Sequence, residues 1–259
     1  METLADPLAR DRRGDEIAIV TADGRERSYR ELITNAYRGG NALRHDGVRG
    51  GSEVGIAPVA DLPSVLAFLG AGLLGARVRF DVPASCAAGA RAIVVPTAEA
   101  SSLDVSPATR IVAFGPPPED PKITHWESDV WSENPAFPPT DLDPDDPLLV
   151  AGRTGQGDGN GNENGNESED EERFITHGRA ISAAATVVER YGLGPGSRVV
   201  LRRSLAHPGT VVAGLIAPLI SSATAVLRPP GDEPGESDGD LSIGDGPEPE
   251  TIDPEDVPV

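Results

Sequence analysis

The chain has 259 residues, of which 42 are acidic and 22 are basic, so its formal net charge at pH 7 is −20. This balance excludes nucleic acid as an expected partner, because no basic patch with interleaved aromatic residues is present to neutralise phosphates. The single cysteine, Cys86, excludes an internal disulfide and a cysteine metal cluster, and we interpret it as a small core residue.

The negative charge is concentrated in two segments. Residues 157–172 contain seven acidic residues and no basic one, and residues 231–259 contain eleven acidic residues and no basic one. Low hydrophobicity combined with high net charge predicts disorder for both segments. We therefore expect a disordered acidic insertion at 157–172 and a disordered acidic tail at 229–259.

Lysine is nearly absent from the chain. Lys122 is the only one, beside 21 arginines. Acid excess with lysine avoidance suggests a halophilic, high-salt cytoplasm in which such charge is screened, although a GC-rich genome would give the same preference. The N-terminal residues lack a basic region followed by an apolar run, so no signal peptide is predicted and a cytoplasmic location is expected.

The first part of the chain alternates extended and helical patterns. Ser28 and Glu31 have the spacing of a capping box and predict a helix that ends near Gly47. The stretch 62–74 is apolar nearly all round and predicts a buried helix. Strands alternating with helices at this spacing favour an α/β domain with a largely parallel sheet. The predicted strands lie at 16–21, 25–28, 54–58, 77–81, 92–95 and 110–114.

The second part of the chain is less regular. Prolines recur between residues 116 and 147 and no period is visible, so we expect a partly extended connector. Beyond it, a helix is predicted at 179–191 and a strand at 198–201. The predicted organisation is an N-terminal α/β subdomain (1–115), the Pro-rich connector (116–147), a second α/β segment with the acidic loop (148–228) and the acidic tail (229–259).

One uncharged stretch, residues 208–227, has the length of a membrane span and follows Arg202 and Arg203. Its prolines, hydroxyl residues and small residues dilute the hydrophobicity, however. A buried helix at about 210–220 followed by a strand at 224–227 accounts for the stretch equally well. We therefore expect no contact with a membrane.

The stretch 148–159 combines a short apolar run with glycines and a threonine. A strand that feeds such a loop can surround a phosphate with backbone N–H groups. A loop of this kind normally carries a cation, whereas Asp158 stands here and the residues that follow, up to Glu172, include no lysine or arginine. Because like charges repel, this surface disfavours a polyphosphate.

Asp158 and Glu169 also match the first and last positions of a calcium-binding loop. Glu163, however, occupies the position that requires glycine, and no amphipathic helix leads into the loop. Low-complexity linkers rich in glycine, asparagine and glutamate give such matches by chance, so no metal site is predicted.

Four stretches follow one another in an order that a known family shares. They are Ala18-Ile19-Val20 with Ser28-Tyr29-Arg30-Glu31-Leu32, residues 51–76, residues 146–155, and residues 176–227 with the phrase Leu205-Ala206-His207. Together they resemble the N-terminal part of the AMP-forming acyl-CoA synthetases, the adenylate-forming enzyme family, over about 200 residues. The resemblance implies an incomplete N-terminal part of that α/β fold.

The same resemblance implies a ligand and the residues that would bind it. ATP or AMP is the implied cofactor, with Gly152, Thr154 and Gly155 in the phosphate loop and His207 at the border of the acyl pocket. The alternative interpretation of His207 is a packed histidine inherited with the fold. His177 is similar to a family histidine only loosely.

The third stretch departs from the family's Thr-Ser-Gly-Thr-Thr-Gly-x-Pro-Lys-Gly loop. Arg153 replaces a hydroxyl residue, Gly157 the proline and Asp158 the lysine, and in the family the hydroxyl and the lysine bind the ATP phosphates. The sequence also ends before the family's adenine and ribose motifs and its mobile C-terminal domain, and Lys122 lies in the wrong place to replace that domain's lysine. We predict no catalytic residue and expect the chain to be inactive alone.

Three functions from different classes remain open. The first, which we favour, is a non-catalytic relative that binds a protein partner, such as a full-length paralogue, or a small acyl or nucleotide ligand. The second is an acyl-CoA ligase component that needs another chain. The third is an acidic interaction protein that acts on basic partners through its tail. The fold alone does not choose among them, and the oligomeric state is left open.

Overall fold

The computed structural model describes residues 1–80, 89–151, 173–228 and 237–259. The strands are β1 (Ile17–Val20), β2 (Glu26–Ser28), β3 (Glu53–Ile56), β4 (Arg77–Arg79), β5 (Ala92–Pro96), β6 (Arg110–Phe114), β7 (Thr124–His125), β8 (Pro147–Ala151), β9 (Arg173–Thr176), β10 (Arg198–Leu201), β11 (Thr224–Leu227), β12 (Leu241–Ile243) and β13 (Glu250–Ile252). The helices are α1 (Tyr29–His45), α2 (Leu62–Leu73), α3 (Thr97–Ala100), α4 (Trp126–Ser132), α5 (His177–Tyr191), α6 (Pro208–Val211) and α7 (Ala217–Ser221), with a π-helix at Val212–Ile216 and 3-10 helices at Arg10–Arg12 and Pro254–Asp256.

Within these ranges the strands form two largely parallel sheets, whereas the alternating pattern predicts a single largely parallel sheet. One sheet has six strands in the order β13-β12-β10-β11-β1-β2, and the other has seven in the order β7-β6-β5-β3-β4-β8-β9. Only β2 and β9 are antiparallel to their neighbours in these two sheets of described strands. The six-stranded sheet combines the opening hairpin with the last strands of the chain, so residues 1–115 contribute to both sheets.

A tightly packed pair of helices joins the two sheets. α1 packs on β1 and β2 of the six-stranded sheet, and α2 packs on β3 and β4 of the seven-stranded sheet. Where the helices meet, a Cβ on Gly70 would lie 2.5 Å from the backbone nitrogen of Gly40, so this approach requires glycine. Phe68 and Leu69 of α2 are fully buried, and side chains from both sheets belong to one continuous apolar core.

Local sequence sets where these helices begin. The Ser28 hydroxyl accepts a hydrogen bond from the N–H of Glu31 (3.3 Å), and the Glu31 carboxylate accepts one from the N–H of Ser28 (2.9 Å), which completes the predicted capping box. At the start of α2, the Asp61 carboxylate accepts from the N–H of Ser64 at 2.9 Å. Gly47 follows α1 with φ +89°, a conformation that glycine adopts without strain.

The Pro-rich segment is more ordered than the sequence predicts. Residues 116–147 include β7 and α4, and Trp126 at the start of α4 is 3% exposed. β7 pairs with β6 at the edge of the seven-stranded sheet, and α4 packs on α1. A strand of two residues and a helix of seven carry too little periodicity to be recognised in the sequence.

The prediction of a disordered tail is wrong for residues 237–259. β12 pairs with β10 and β13 pairs with β12, all in parallel, so this segment extends the six-stranded sheet. Leu241 and Ile243 are at most 1% exposed. The physical reason for the error is that carboxylates of this segment are paired with arginines, as described below. Residues 229–236 and the acidic insertion 157–172 lie outside the described residues.

The uncharged stretch 208–227 folds as α6, the π-helix, α7 and the strand β11. The turn before β11 falls at Ser222, which has φ 60°, close to where the sequence places it. In the part of the chain that the structure describes, no helix combines the length and apolar character that a bilayer crossing needs.

Candidate functional site

β8 and β9 place the two ends of the predicted phosphate loop side by side. The strands are antiparallel, and Ala151 at the end of β8 lies opposite Arg173 at the start of β9. The roles predicted for residues of this loop stay predictions, because the loop lies outside the described residues; these residues are Gly152, Thr154, Gly155 and Asp158. The calcium-loop pattern and Cys86 also lie outside the described residues.

His207 caps the helical segment that follows β10. Its Nδ1 accepts a hydrogen bond from the backbone N–H of Gly209 at 3.1 Å, so the proton of the neutral ring is on Nε2. Pro208 occupies the first position of α6, where a missing N–H has no penalty. The imidazole is half-buried, and no partner for Nε2 occurs among the described residues. His207 therefore has one nitrogen fixed by the backbone and one N–H that can donate to a ligand.

The segment before His207 is tied to the opposite sheet. The N–H of Leu205 (3.2 Å) and the hydroxyl of Ser204 (3.1 Å) both donate to the carbonyl oxygen of Pro58, which follows β3. The carboxyl ends of β3 and β10 therefore meet beside His207. Ligands of parallel α/β sheets bind outside the carboxyl ends of the strands, which makes this edge the candidate site.

A carboxyl group that sequence reasoning missed lies on the connection from β3 to α2. Burial raises the pKa of Asp61, while hydrogen bonds from Ser64 act in the opposite direction. Asp61 lines an open cavity of about 340 Å³ between the start of α2 and the β1–β2 hairpin, together with Thr21, Arg25 and Arg27. The signal in the sequence was an aspartate three residues before a serine at the start of an apolar helix, which is typical of an N-cap.

The carboxyl ends of β10 and β11 carry two arginines whose charges are neutralised. Arg202 binds both oxygens of Glu248 (2.6 and 3.0 Å), and Arg228 binds both oxygens of Asp238 (2.8 and 2.9 Å). Arg202 also reaches Asp238 at 3.4 Å and joins the two pairs. We call these four side chains the arginine–carboxylate cluster. Both carboxylates belong to the acidic segment, so the cluster fastens that segment to the sheet.

His177 lies at the start of α5 and is fully buried. Its Nδ1 accepts a hydrogen bond from the N–H of Leu4 at 3.2 Å, and its Nε2 is buried without a partner in the described part of the chain. Burial lowers the pKa of His177, and the nearby Asp146 acts in the opposite direction. This environment indicates a structural role, in which a neutral ring anchors the N-terminal segment.

The buried ring of His177 predicts a pH dependence of stability. A protonated ring cannot accept from Leu4, so the folded state holds His177 neutral while the unfolded state gains a proton below about pH 6.5. The free energy of unfolding should therefore fall as the pH is lowered through 6.5 toward the lower folded-state pKa. His177→Asn retains an acceptor at the position of Nδ1 and does not titrate, so its urea midpoint should fall less between about pH 7.5 and 5.5.

The control is His45→Asn, because the His45 imidazole is 75% exposed. Urea titrations followed by circular dichroism should give this variant the same pH dependence as the natural chain. Equal pH dependence in the natural chain and in His177→Asn would contradict the prediction.

His125 has partners that the sequence did not indicate. Its Nδ1 lies 2.9 Å from the hydroxyl of Ser128, and its Nε2 lies 3.0 Å from the carbonyl oxygen of Gly115 and 3.1 Å from the Glu127 carboxylate. These contacts fix the start of α4 to the end of β6 at one edge of the seven-stranded sheet, whereas β8 and β9 occupy its other edge.

The described residues form two largely parallel sheets joined by a helix pair, with a glycine-rich sequence after β8 and a histidine after β10, and this arrangement matches the N-terminal part of the adenylate-forming fold. The chain matches the structure of the anthranilate CoA ligase AuaEII in complex with anthranoyl-AMP over 93% of its length, with a TM-score of 0.74 and 20% identity. The structure of apo MatB from Rhodopseudomonas palustris matches 93% of this chain (TM-score 0.72, 15% identity), and that of the Brucella canis acyl-CoA synthetase matches 90% of it (TM-score 0.73, 17% identity).

The chain spans about half the length of these solved structures, since it covers 49% of the first two and 44% of the third. Neither a family model nor a curated protein sequence matches the chain. The likeness establishes the fold, and at that level the resemblance drawn from the sequence is confirmed.

Proposed function

We propose that this chain is a degenerate, non-catalytic relative of the AMP-forming acyl-CoA synthetases that binds a small acyl or nucleotide ligand beside His207. The observation that carries the proposal is the setting of His207 at the carboxyl edge where the two sheets meet. Its Nδ1 is held by Gly209, which leaves the Nε2–H as a donor for a ligand carbonyl or carboxylate. MatB with bound ATP and AuaEII with anthranoyl-AMP share this fold, which supports a nucleotide or acyl-adenylate as the ligand class.

Two features favour binding without adenylation. Asp158 stands where the family's phosphate loop has lysine, so it repels the group that a lysine would attract. Arg202 and Arg228, two of the cations at the ends of β10 and β11, have their charges neutralised by carboxylates of the same chain. A phosphate at this edge would have to compete with these pairs.

Calorimetric titration in concentrated KCl tests the proposal. The probes are ATP and two non-hydrolysable acyl-sulfamoyl adenosines, one acetyl and one 2-aminobenzoyl. We expect micromolar binding of one of the two analogues and weaker binding of ATP, which carries more negative charge. Loss of the imidazole in His207→Ala should weaken analogue binding about tenfold, the value of one hydrogen bond to a partly buried group.

His45→Ala is the matched control, because that histidine is exposed on α1 and should not affect binding. Circular dichroism of each variant establishes that it is folded. No heat from any probe, with a folded chain, would remove nucleotide and acyl ligands from consideration and leave a protein partner, such as a full-length paralogue.

An acyl-CoA ligase component that is completed by another chain is a second candidate. The observation that favours it is the likeness to AuaEII, an anthranilate CoA ligase whose structure contains anthranoyl-AMP. Isolation of the chain from its own cells in a stable one-to-one complex with adenylation activity would support this candidate. The third candidate, an acidic protein that acts through its tail, is disfavoured because Asp238 and Glu248 are engaged within the chain.

A further inference from the structure

The last described residues pass close to the candidate site after leaving the six-stranded sheet. We call residues 254–259 the strap. It begins with a 3-10 helix at Pro254–Asp256 that packs on α6. Val257 is 5% exposed, and Val259 is partly buried against the main apolar core. The strap is therefore packed, although it pairs with no strand among the described residues.

Gly209 shows how closely the strap approaches the imidazole of His207. A Cβ built on Gly209 would overlap the carbonyl oxygen of Pro254 and would lie 3.1 Å from Nδ1 of His207. The Pro254 carbonyl oxygen and the His207 imidazole therefore both lie next to the Cα of Gly209. The absence of a side chain at Gly209 permits this contact, because any larger residue would have to displace the strap.

The other end of the strap reaches the stem of the predicted phosphate loop. The guanidinium of Arg173 donates to the carbonyl oxygen of Val259. Arg173 is the first residue of β9 and lies opposite Ala151, the last residue before the loop. The strap therefore runs from the side of His207 to the point at which residues 152–172 return to the sheet.

The strap and the strands before it are held by contacts of different strength. β12 and β13 are fixed by parallel pairing and by the arginine–carboxylate cluster, in which the Glu248 side chain is 0% exposed. The strap is held by the buried Pro254 and Val257, the partly buried Val259, the contact at Gly209 and one side-chain hydrogen bond from Arg173, without strand pairing among the described residues. Segments with few buried contacts open at lower free energy than the elements they join, so the strap can leave while the sheet stays intact.

We infer that the strap is a built-in cover of the His207 site and that a ligand enters by displacing it. The ligand part of this inference rests on the proposed function, whereas the covering of His207 does not. The strap lies beside the imidazole, bridges to the loop stem and is anchored from the sheet by a separate set of contacts. Displacement of the strap would remove the Pro254 carbonyl from beside the imidazole without breaking a described strand.

Carbethoxylation of histidines by diethyl pyrocarbonate, read by mass spectrometry on the full chain, measures the cover directly. Val257→Asp places a carboxylate at a buried residue that is only 5% exposed. An unpaired buried charge is unfavourable, so this substitution should release the strap. We expect the modification rate of His207 to rise about fivefold or more in this variant, as expected for local opening. The rates of exposed His45 and of fully buried His177 should stay unchanged.

His177 is the internal control for global unfolding, since it reacts only if the core opens. Gly209→Ala is a second variant that displaces the Pro254 carbonyl without adding charge, and it should also accelerate modification of His207. Val105→Asp, at a partly buried valine in the connection between α3 and β6, is the control for the added charge and should leave the His207 rate unchanged. An unchanged His207 rate in both strap variants, or a rise in His177 that parallels it, would overturn the inference.

A binding measurement tests separately whether the strap covers His207 and whether the proposed ligand binds there. If His207 becomes reactive in Val257→Asp and the acyl-sulfamoyl adenosines bind this variant severalfold more tightly than the natural chain, cover and ligand site are both supported. Increased reactivity with no binding to either chain would keep the cover and reject the proposed ligand. Binding that is equally tight in both chains would overturn the role of the strap as a barrier to the ligand.

Discussion

Arg202→Ala should destabilise the folded chain by about 3–5 kcal/mol, the usual effect of leaving one member of a buried ion pair unpaired. The Arg202 side chain is 8% exposed and that of Glu248 is 0% exposed. Two hydrogen bonds join them, at 2.6 and 3.0 Å. Removal of the guanidinium leaves the buried Glu248 carboxylate without its ion-pair partner in the connection between β12 and β13, so the loss should affect the whole acidic segment.

Urea unfolding followed by circular dichroism measures this effect. Arg203→Ala is the matched control, because the neighbouring arginine is 53% exposed and its contact with Asp245, at 3.6 Å, is on the surface. We expect Arg203→Ala to change the free energy of unfolding by less than about 0.5 kcal/mol. The double variant with Glu248→Gln should regain part of the loss, because the unpaired charge is then absent. Similar losses in both arginine variants would contradict the prediction.

The arginine–carboxylate cluster should also make the free energy of unfolding depend on pH in the acidic range. Burial raises the pKa of Glu248, but hydrogen bonds from Arg202 and from backbone N–H groups offset this and hold the pKa below its usual 4.5. The hydrogen bonds from Arg228 lower the pKa of Asp238. A carboxylate with a lowered folded-state pKa stabilises the fold above its unfolded pKa, and this contribution is lost as the pH falls through the folded-state value. The difference between Arg202→Ala and the natural chain should therefore shrink below about pH 4.5.

The acidic segment shows why charge composition misled the sequence analysis. Eleven carboxylates without a basic residue predict disorder only if no cation elsewhere in the chain neutralises them. Arg202, Arg203 and Arg228 pair with carboxylates of this segment, but Arg202 lies 46 residues before Glu248, and this distance in sequence hides the pair. The same holds for His177, whose hydrogen-bond donor at Leu4 is 173 residues away.

Local signals gave the parts of the fold that depend on neighbours in sequence. Ser28 and Glu31 predicted both bonds of the capping box, and the strands predicted at 16–21 and 25–28 form the β1–β2 hairpin, because each feature needs only a few adjacent residues. These local signals could not predict which strands pair when the strands are far apart in sequence. The pairing of β1 with β11 and of β10 with β12 is set by long-range packing. At the site, the sequence singled out His207, while its hydrogen bond to Gly209 and the nearby Pro254 became visible only in the fold.

Asp158→Lys should raise the affinity of the chain for ATP about tenfold, on the order of 1.4 kcal/mol, because the substitution replaces repulsion of the phosphates by attraction. The prediction depends on the register in which residues 152–159 correspond to the family's phosphate loop. Asp158→Asn removes the repulsion without adding a cation, so its affinity should lie between those of the natural chain and the lysine variant. Calorimetric titration with ATP across a series of KCl concentrations measures all three.

The salt series distinguishes a local charge effect from a change in net charge. Asp15→Lys changes the net charge by the same amount at a residue before β1 whose side chain is 88% exposed, and we expect it to alter ATP affinity by less than about twofold. The gain in Asp158→Lys should decrease as KCl rises, because screening weakens the attraction. An equal gain at both positions would mean that general electrostatics governs the binding. No gain at Asp158 in a folded variant would reject the loop register and, with it, the assignment of Gly152, Thr154 and Gly155 to phosphate binding.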